Sequence, residues 1–119
     1  MSPPANAEDC TWKMLDYAVQ RICARLPDGL TGVYGIPRGG LIPAVMISHL
    51  RGIPLLNAPC EGCVVVDDIC DTGRTLVPYA DRYLTATVYD TLSASVHPDI
   101  SVYLKHDMWI RFPWEMTVQ

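Results

Sequence analysis

The chain has 119 residues, half of them hydrophobic and only 18% charged. That balance fits one globular domain spanning residues 1–119 and excludes a disordered polyelectrolyte. A net charge of −4 argues against nucleic acid or an anionic membrane surface as partner. The densest apolar run, Leu41–Leu50, is interrupted by Pro43, Ser48 and His49 and is too short to span a bilayer. Met1–Asp9 lacks the apolar region of a secretory signal, so a cytoplasmic location is expected. The five cysteines, an odd number without secretory context, are expected as free thiols.

Thr11 is placed to cap a first helix whose apolar stripe is Trp12, Leu15, Val19, Ile22, Cys23 and Leu26. Pro27-Asp28-Gly29 ends it. Gly32–Ile36 reads as the first strand and Pro37-Arg38-Gly39-Gly40 as a loop. Leu41–Leu50 is the second helix, tolerating Pro43 in its first turn, and Gly52 closes it. Ile53–Leu56 is a short strand, followed after Asn57-Ala58-Pro59 by Cys60-Glu61-Gly62-Cys63. Zinc there would need a second ligand pair, which His97 and His106 do not supply at suitable spacing. A redox pair would open a helix, whereas here a strand follows. That strand begins at Val64. A helix from about Arg74 to Leu84 and strands Ala86–Tyr89 and Ile100–Leu104 complete the pattern. Strands alternating with helices predict parallel βαβ units with right-handed crossovers and a sheet of about five strands.

The most informative stretch is Val64-Val65-Val66-Asp67-Asp68-Ile69-Cys70-Asp71-Thr72-Gly73-Arg74-Thr75-Leu76. Three valines predict a strand buried on both faces, and ligands of open α/β sheets bind beyond the carboxyl ends of such strands. The loop amides, the Thr72 and Thr75 hydroxyls and a following helix start suit a monophosphate, with Asp71, Gly73 and Arg74 in the same cradle. Asp67 and Asp68 suit the vicinal hydroxyls of a ribose and, through them or water, magnesium. Together they predict a pocket for a ribose 5-phosphate. A second signal, Pro37-Arg38-Gly39-Gly40-Leu41, offers bare backbone amides and a permanent guanidinium to a second anion.

The order of apolar strand, paired acids and Asp-Thr-Gly-x-Thr resembles the phosphoribosyl-pyrophosphate (PRPP) motif of type I phosphoribosyltransferases. The C-terminal Asp107-Met108-Trp109-Ile110-Arg111-Phe112-Pro113-Trp114-Glu115 resembles the hood of the xanthine-guanine and related purine enzymes. The resemblance implies a single-domain α/β fold with a central, mainly parallel five-stranded sheet flanked by helices and a minimal hood. It implies transfer of ribose 5-phosphate from PRPP to a base, most simply a purine in salvage, with Mg2+ as cofactor and a homodimer as the assembly. Arg38, Gly39 and Gly40 would hold pyrophosphate, in a loop where the family often carries a cis peptide. Asp71 would handle the proton of the base, and Ile69 and Trp109 would sandwich its ring while Ile110 offers backbone groups to its edge. Phe112 and Trp114 are expected in the core. A non-catalytic PRPP- or nucleotide-binding regulatory module is the rival reading.

Two departures from that family stand out. Relatives carry a long closing loop before the PRPP strand, whereas only Asn57–Gly62 is available here. In enzymes for 6-oxopurines a lysine follows the fifth strand, and Asp90 stands at that position. An ionised Asp90 accepts hydrogen bonds and favours an amino group on the base. Alternatively Asp90 faces solvent and Lys105 reaches the base.

Overall fold

A computed structural model describes residues 7–115 of the chain. Its elements are β1 (Ala7–Asp9), α1 (Trp12–Arg25), β2 (Val33–Gly35), α2 (Leu41–Arg51) and β3 (Leu55–Leu56), followed by β4 (Val64–Cys70), α3 (Val77–Ala80), β5 (Leu84–Thr91), β6 (Ile100–Lys105) and β7 (Trp109–Arg111). The central sheet has five strands, all parallel, in the order β3-β2-β4-β5-β6. After β2 the chain turns outward to β3 and then crosses back to β4 on the other side. The point of reversal lies between Gly35 and Val66, which are paired in register. Crevices for ligands form at such a switch point.

α1 starts where Thr11 Oγ accepts from Met14 N at 3.1 Å, a side-chain N-cap. Its stripe of Leu15, Ala18, Val19, Ile22 and Cys23 is buried. These residues pack with Ala44 and Ile47 of α2 on one sheet face, against Val64, Val66, Ala86 and Val88. The other face is covered by a smaller cluster of Ile36, Val65, Cys70, Leu76 and Ala94 with Tyr34, Tyr79 and Tyr83. Gly52 takes a left-handed φ of +65° to end α2, the conformation that glycine adopts without penalty.

The structure departs from the sequence pattern in two places. The helix expected over about Arg74 to Leu84 shrinks to the single turn Val77–Ala80, and Leu84 is already strand, paired with Val64. The connection must travel back along the whole of β4 before β5 begins, which leaves room for one helical turn. The hood is also a small parallel sheet: β7 pairs with β1, Trp109 opposite Ala7 and Arg111 opposite Asp9, and Arg111 Nε bonds Asp9 Oδ1 at 2.5 Å. No local pattern in Ala7–Asp9 marks it as a strand, because its partner lies at the opposite end of the sequence. Among the described residues no helix is long and apolar enough to cross a membrane.

Leu15 is fully buried whereas Trp12, on the same predicted stripe, is 54% exposed. Leu15→Ala is therefore expected to cost about 2–5 kcal/mol, and Trp12→Ala about 1 kcal/mol or less. Urea unfolding of the two variants checks the difference.

Candidate active site

The loop after β2 and the carboxyl end of β4 are built against each other. Ile36 N donates to Val66 O at 2.9 Å and Gly40 N to Ile36 O at 2.8 Å, which folds the loop back over the strand end. A Cβ on Gly35 would come within 2.5 Å of Gly40 O, and one on Gly39 would collide with the Asp68 carboxylate. The bare backbone thus lets the loop lie directly on the acids. The Pro37–Arg38 peptide bond is cis, as the family resemblance implies for this loop, and Arg38 is exposed.

β4 does not end at its paired acids but continues to Cys70. At the acids the regular alternation of faces breaks. Val64 and Val66 face the α1–α2 side, and so does Ile69, while Cys70 faces the opposite side with Val65. Asp68 N donates to Asp67 Oδ1 at 2.9 Å and Ile69 N to Asp68 Oδ1 at 2.8 Å, so each carboxylate is fixed by the backbone amide that follows it. β5 changes at the same level, Val88 and Tyr89 both packing on the α1–α2 side and Thr87 Oγ donating to Tyr89 O at 2.7 Å.

Asp67 is 7% exposed. Among the described residues neither acid has a cationic partner. Burial, reinforced by the adjacent Asp68, pushes the Asp67 carboxyl up to about 8. Burial raises Asp68 as well. A dry pair of like charges favours sharing a proton over carrying two negative charges.

Two clefts meet on this pair. The first, about 290 Å³, is lined by Pro37, Gly39, Asp67–Asp71, Thr72, Gly73, Thr75 and Leu76. The second, about 670 Å³, is lined by Arg38, Gly39, Leu41, Ile42, Asp68, Trp114 and Glu115. Gly39 and Asp68 line both. The anion loop starting at Asp71 is shaped by Gly73, whose φ is +93°, by Arg74 N donating to Thr72 Oγ at 3.2 Å and by Leu76 N donating to Gly73 O at 3.1 Å. Arg74 itself is exposed and lines neither cleft. Asp71 Oδ1 accepts from Lys105 Nζ at 3.2 Å.

Asp67, Asp68, Ile69, Asp71, Thr72, Gly73 and Thr75 thus converge with Gly39, and Arg38 stands on the adjoining cleft. Two of the expected base contacts, Asp90 and Trp109, are placed otherwise. Asp90, which even alternation from Val88 would turn toward the hood, points the other way because Tyr89 takes that place. Its carboxylate bonds His97 Nδ1 at 2.8 Å, accepts from Thr91 N at 2.8 Å, and lines neither cleft. Trp109 is 48% exposed and away from both clefts, and the Ile110 side chain is buried in the core. Trp114, expected in the core, stacks on buried Phe112 with ring centroids 4.9 Å apart and forms a cleft wall. Sequence reasoning also passed over Glu115 and Ile42. Glu115 anchors the hood through its Oε1, which accepts from Phe112 N at 2.8 Å. The spacing Phe112-x-x-Glu115 was the available signal.

Cys60 and Cys63 are free thiols, Cys60 exposed and Cys63 buried. Thr31 Oγ lies 3.5 Å from Cys60 Sγ. Among the described residues no group of three or more His, Cys, Asp or Glu side chains could hold a metal by itself.

No family model matches the sequence. Solved structures do. A purine phosphoribosyltransferase from Pyrococcus horikoshii is 30% identical, with 96% of this chain and 97% of that chain aligned at a TM-score of 0.82. A xanthine-guanine-hypoxanthine phosphoribosyltransferase from Helicobacter pylori shares the fold at 15% identity and a TM-score of 0.76, over 89% of this chain and 90% of that one. A Neisseria gonorrhoeae protein solved with bound ppGpp shares it at 17% identity and a TM-score of 0.63, over 98% and 92% of the two chains. With its PRPP motif at a switch-point cleft and a relative matched end to end, the chain belongs to the phosphoribosyltransferases.

A carboxyl group whose folded-state value is raised binds more protons in the folded than in the unfolded chain. Stability of the free protein therefore falls as pH rises from the ordinary carboxylate range toward 8, where Asp67 titrates. Asp67→Asn should flatten that dependence and raise Tm at pH 8. Thermal melts at pH 5 and pH 8 check both.

Proposed function

We propose that the protein transfers ribose 5-phosphate from PRPP to a purine base, giving a purine nucleoside 5′-monophosphate and pyrophosphate. The observation that carries this reading is the meeting of two clefts at Asp68, beside the buried Asp67. A phosphate loop lies on one side of the pair and a guanidinium-bearing glycine loop on the other. PRPP has this layout, a 5-phosphate and a pyrophosphate on opposite sides of a ribose. The 30% identical relative is itself a purine phosphoribosyltransferase.

In this reading the amides of Thr72–Thr75 and the two threonine hydroxyls hold the 5-phosphate. Arg38 and the amide of Gly39 hold the pyrophosphate; the Gly40 amide, expected to join them, is already bonded to Ile36 O. Asp67 and Asp68 bind the ribose hydroxyls and stabilise positive charge developing at C1 as the bond to pyrophosphate breaks and the base nitrogen attacks. Asp71 takes the proton that this nitrogen sheds. Lys105 lines neither cleft itself but serves the base side through Asp71, on which its ammonium is anchored at 3.2 Å, and it can only donate, which rewards a carbonyl on the purine.

The donor set fits magnesium, which prefers carboxylate oxygen and keeps water and substrate oxygens in its shell. Asp67 and Asp68 would hold it, directly or through the ribose hydroxyls, and when bound it would neutralise the departing pyrophosphate. The assembly we propose is a homodimer, because Leu41 and Val45, one turn apart on the same face of α2, are left exposed.

The test is pyrophosphate release from PRPP and Mg2+ with adenine, hypoxanthine, guanine and xanthine. Turnover is expected with the 6-oxopurines ahead of adenine. Asp67→Asn with Asp68→Asn should lower kcat/KM by about 10²-fold or more without loss of Tm, and Lys105→Met should erode the preference for 6-oxopurines. Binding of PRPP without turnover of any base would make the protein a PRPP-binding module. A preference for adenine would return base selection to Asp90.

Sedimentation at micromolar concentration should give a dimer. A monomer there would remove the assembly from the proposal.

A further inference from the structure

The segment joining β5 to β6 runs behind the phosphate loop. Thr72 O accepts from Ser95 N at 2.9 Å and from Ser95 Oγ at 3.1 Å. Gly73 lies flat against Val96, so close that a Cβ on Gly73 would sit 2.6 Å from Val96 N and 2.7 Å from Val96 O. Cys70 Sγ donates to Val96 O at 3.1 Å. Burial and the negative charge of Asp90 push the Cys70 thiol up to about 12, so it stays a neutral donor. Beyond Val96 the strap is tied down by His97 Nδ1 against Asp90 Oδ2 at 2.8 Å. Ser95, Val96, His97 and Asp90 line neither cleft, so none of them meets a ligand seated there.

We propose that Asp90 and His97 are positioning residues for the phosphate loop. Their pairing clamps the Ser95–Val96 strap against Thr72 and Gly73 and so holds the loop amides in the conformation that binds the 5-phosphate. The proposal rests on the phosphoribosyl reading of that loop. The physical need is plain. Gly73 has no side chain to pack and a φ that most residues avoid. The loop's other restraints are internal bonds of its own, the Lys105–Asp71 pair and the buried Leu76 side chain at its end. Amides that must converge on one anion bind it best when already ordered. The pair also suits a positioning role better than a structural one. The His97 side chain is 47% exposed while Asp90 is 15% exposed, so the contact lies at the edge of the sheet rather than in its core, where one hydrogen bond contributes only modestly to the fold.

The experiment compares wild type, His97→Ala and His97→Asn, the last placing an amide nitrogen close to where Nδ1 lies. Hydrogen exchange of the free protein should show faster exchange at Ser95 and Thr72–Leu76 in His97→Ala, with His97→Asn close to wild type. In turnover assays KM for PRPP should rise about five- to tenfold in His97→Ala, the loss of one charge-assisted hydrogen bond's ordering. Its kcat, its KM for the base and its Tm should stay near wild type. Unchanged exchange and KM in an active protein overturn the clamp and leave the phosphoribosyl reading intact. A fall in Tm with kcat and both KM values impaired alike overturns it in favour of a plain structural role. If wild type neither binds nor turns over PRPP, the phosphoribosyl reading falls, and the positioning role falls with it even if exchange quickens in His97→Ala.

Discussion

Two neighbouring carboxylates, one buried and one half-buried, with no cation among the described residues to answer them, impose the constraint around which this molecule is arranged. Asp67 and Asp68 line the switch-point crevice, and each is fixed by the backbone amide that follows it. Such a pair costs stability in the free protein and is useful only if a ligand supplies the missing positive charge or hydroxyl donors. The three valines before the acids anchor the strand in the core, and Gly39 of the opposite loop has no Cβ to collide with the Asp68 carboxylate.

That geometry also explains how a chain of this size fits a transferase site. The anion-binding parts are backbone amides in two short loops, which need glycines and a few hydroxyls rather than a large side-chain cage. Each loop is braced from outside itself. The first is bonded onto Val66. The second leans on the Ser95–Val96 strap, which Asp90 and His97 tie to the sheet. The hood is braced by the N-terminal strand and by the Glu115 carboxylate on Phe112 N. Support of this kind, placed behind the groups that touch ligand, is what fixes a loop to the tolerance chemistry requires.

The central sheet was legible because its signals are local. Val64–Val66 is a continuous apolar run, α1 carries a clear helical stripe with a capping threonine, and Gly52 and Pro43 punctuate α2. The acids and the Asp-Thr-Gly-x-Thr loop were legible for the same reason. The ligand groups sit within a few residues of one another, so their spacing in the chain is nearly their spacing in space. Five parallel strands followed from that local pattern once the βαβ order was read, whereas the place of Arg38-Gly39-Gly40 beside the acids was implied only by the family resemblance.

What the sequence could not decide were relations between distant segments and the direction of single side chains. β1 exists only because β7 lies beside it, and the connection after Gly73 is one helical turn because β5 must start opposite Val64. Asp90 turned from the hood to His97 because the pleat slips on β4 and β5 at one level, a cooperative change that neither strand announces alone. Trp114 rather than Trp109 came to wall the cleft through its stacking on Phe112. Composition and local spacing determined the elements and the chemistry of the loops. Tertiary packing decided which face each strand-end side chain took, since that depends on neighbours the local sequence does not contain.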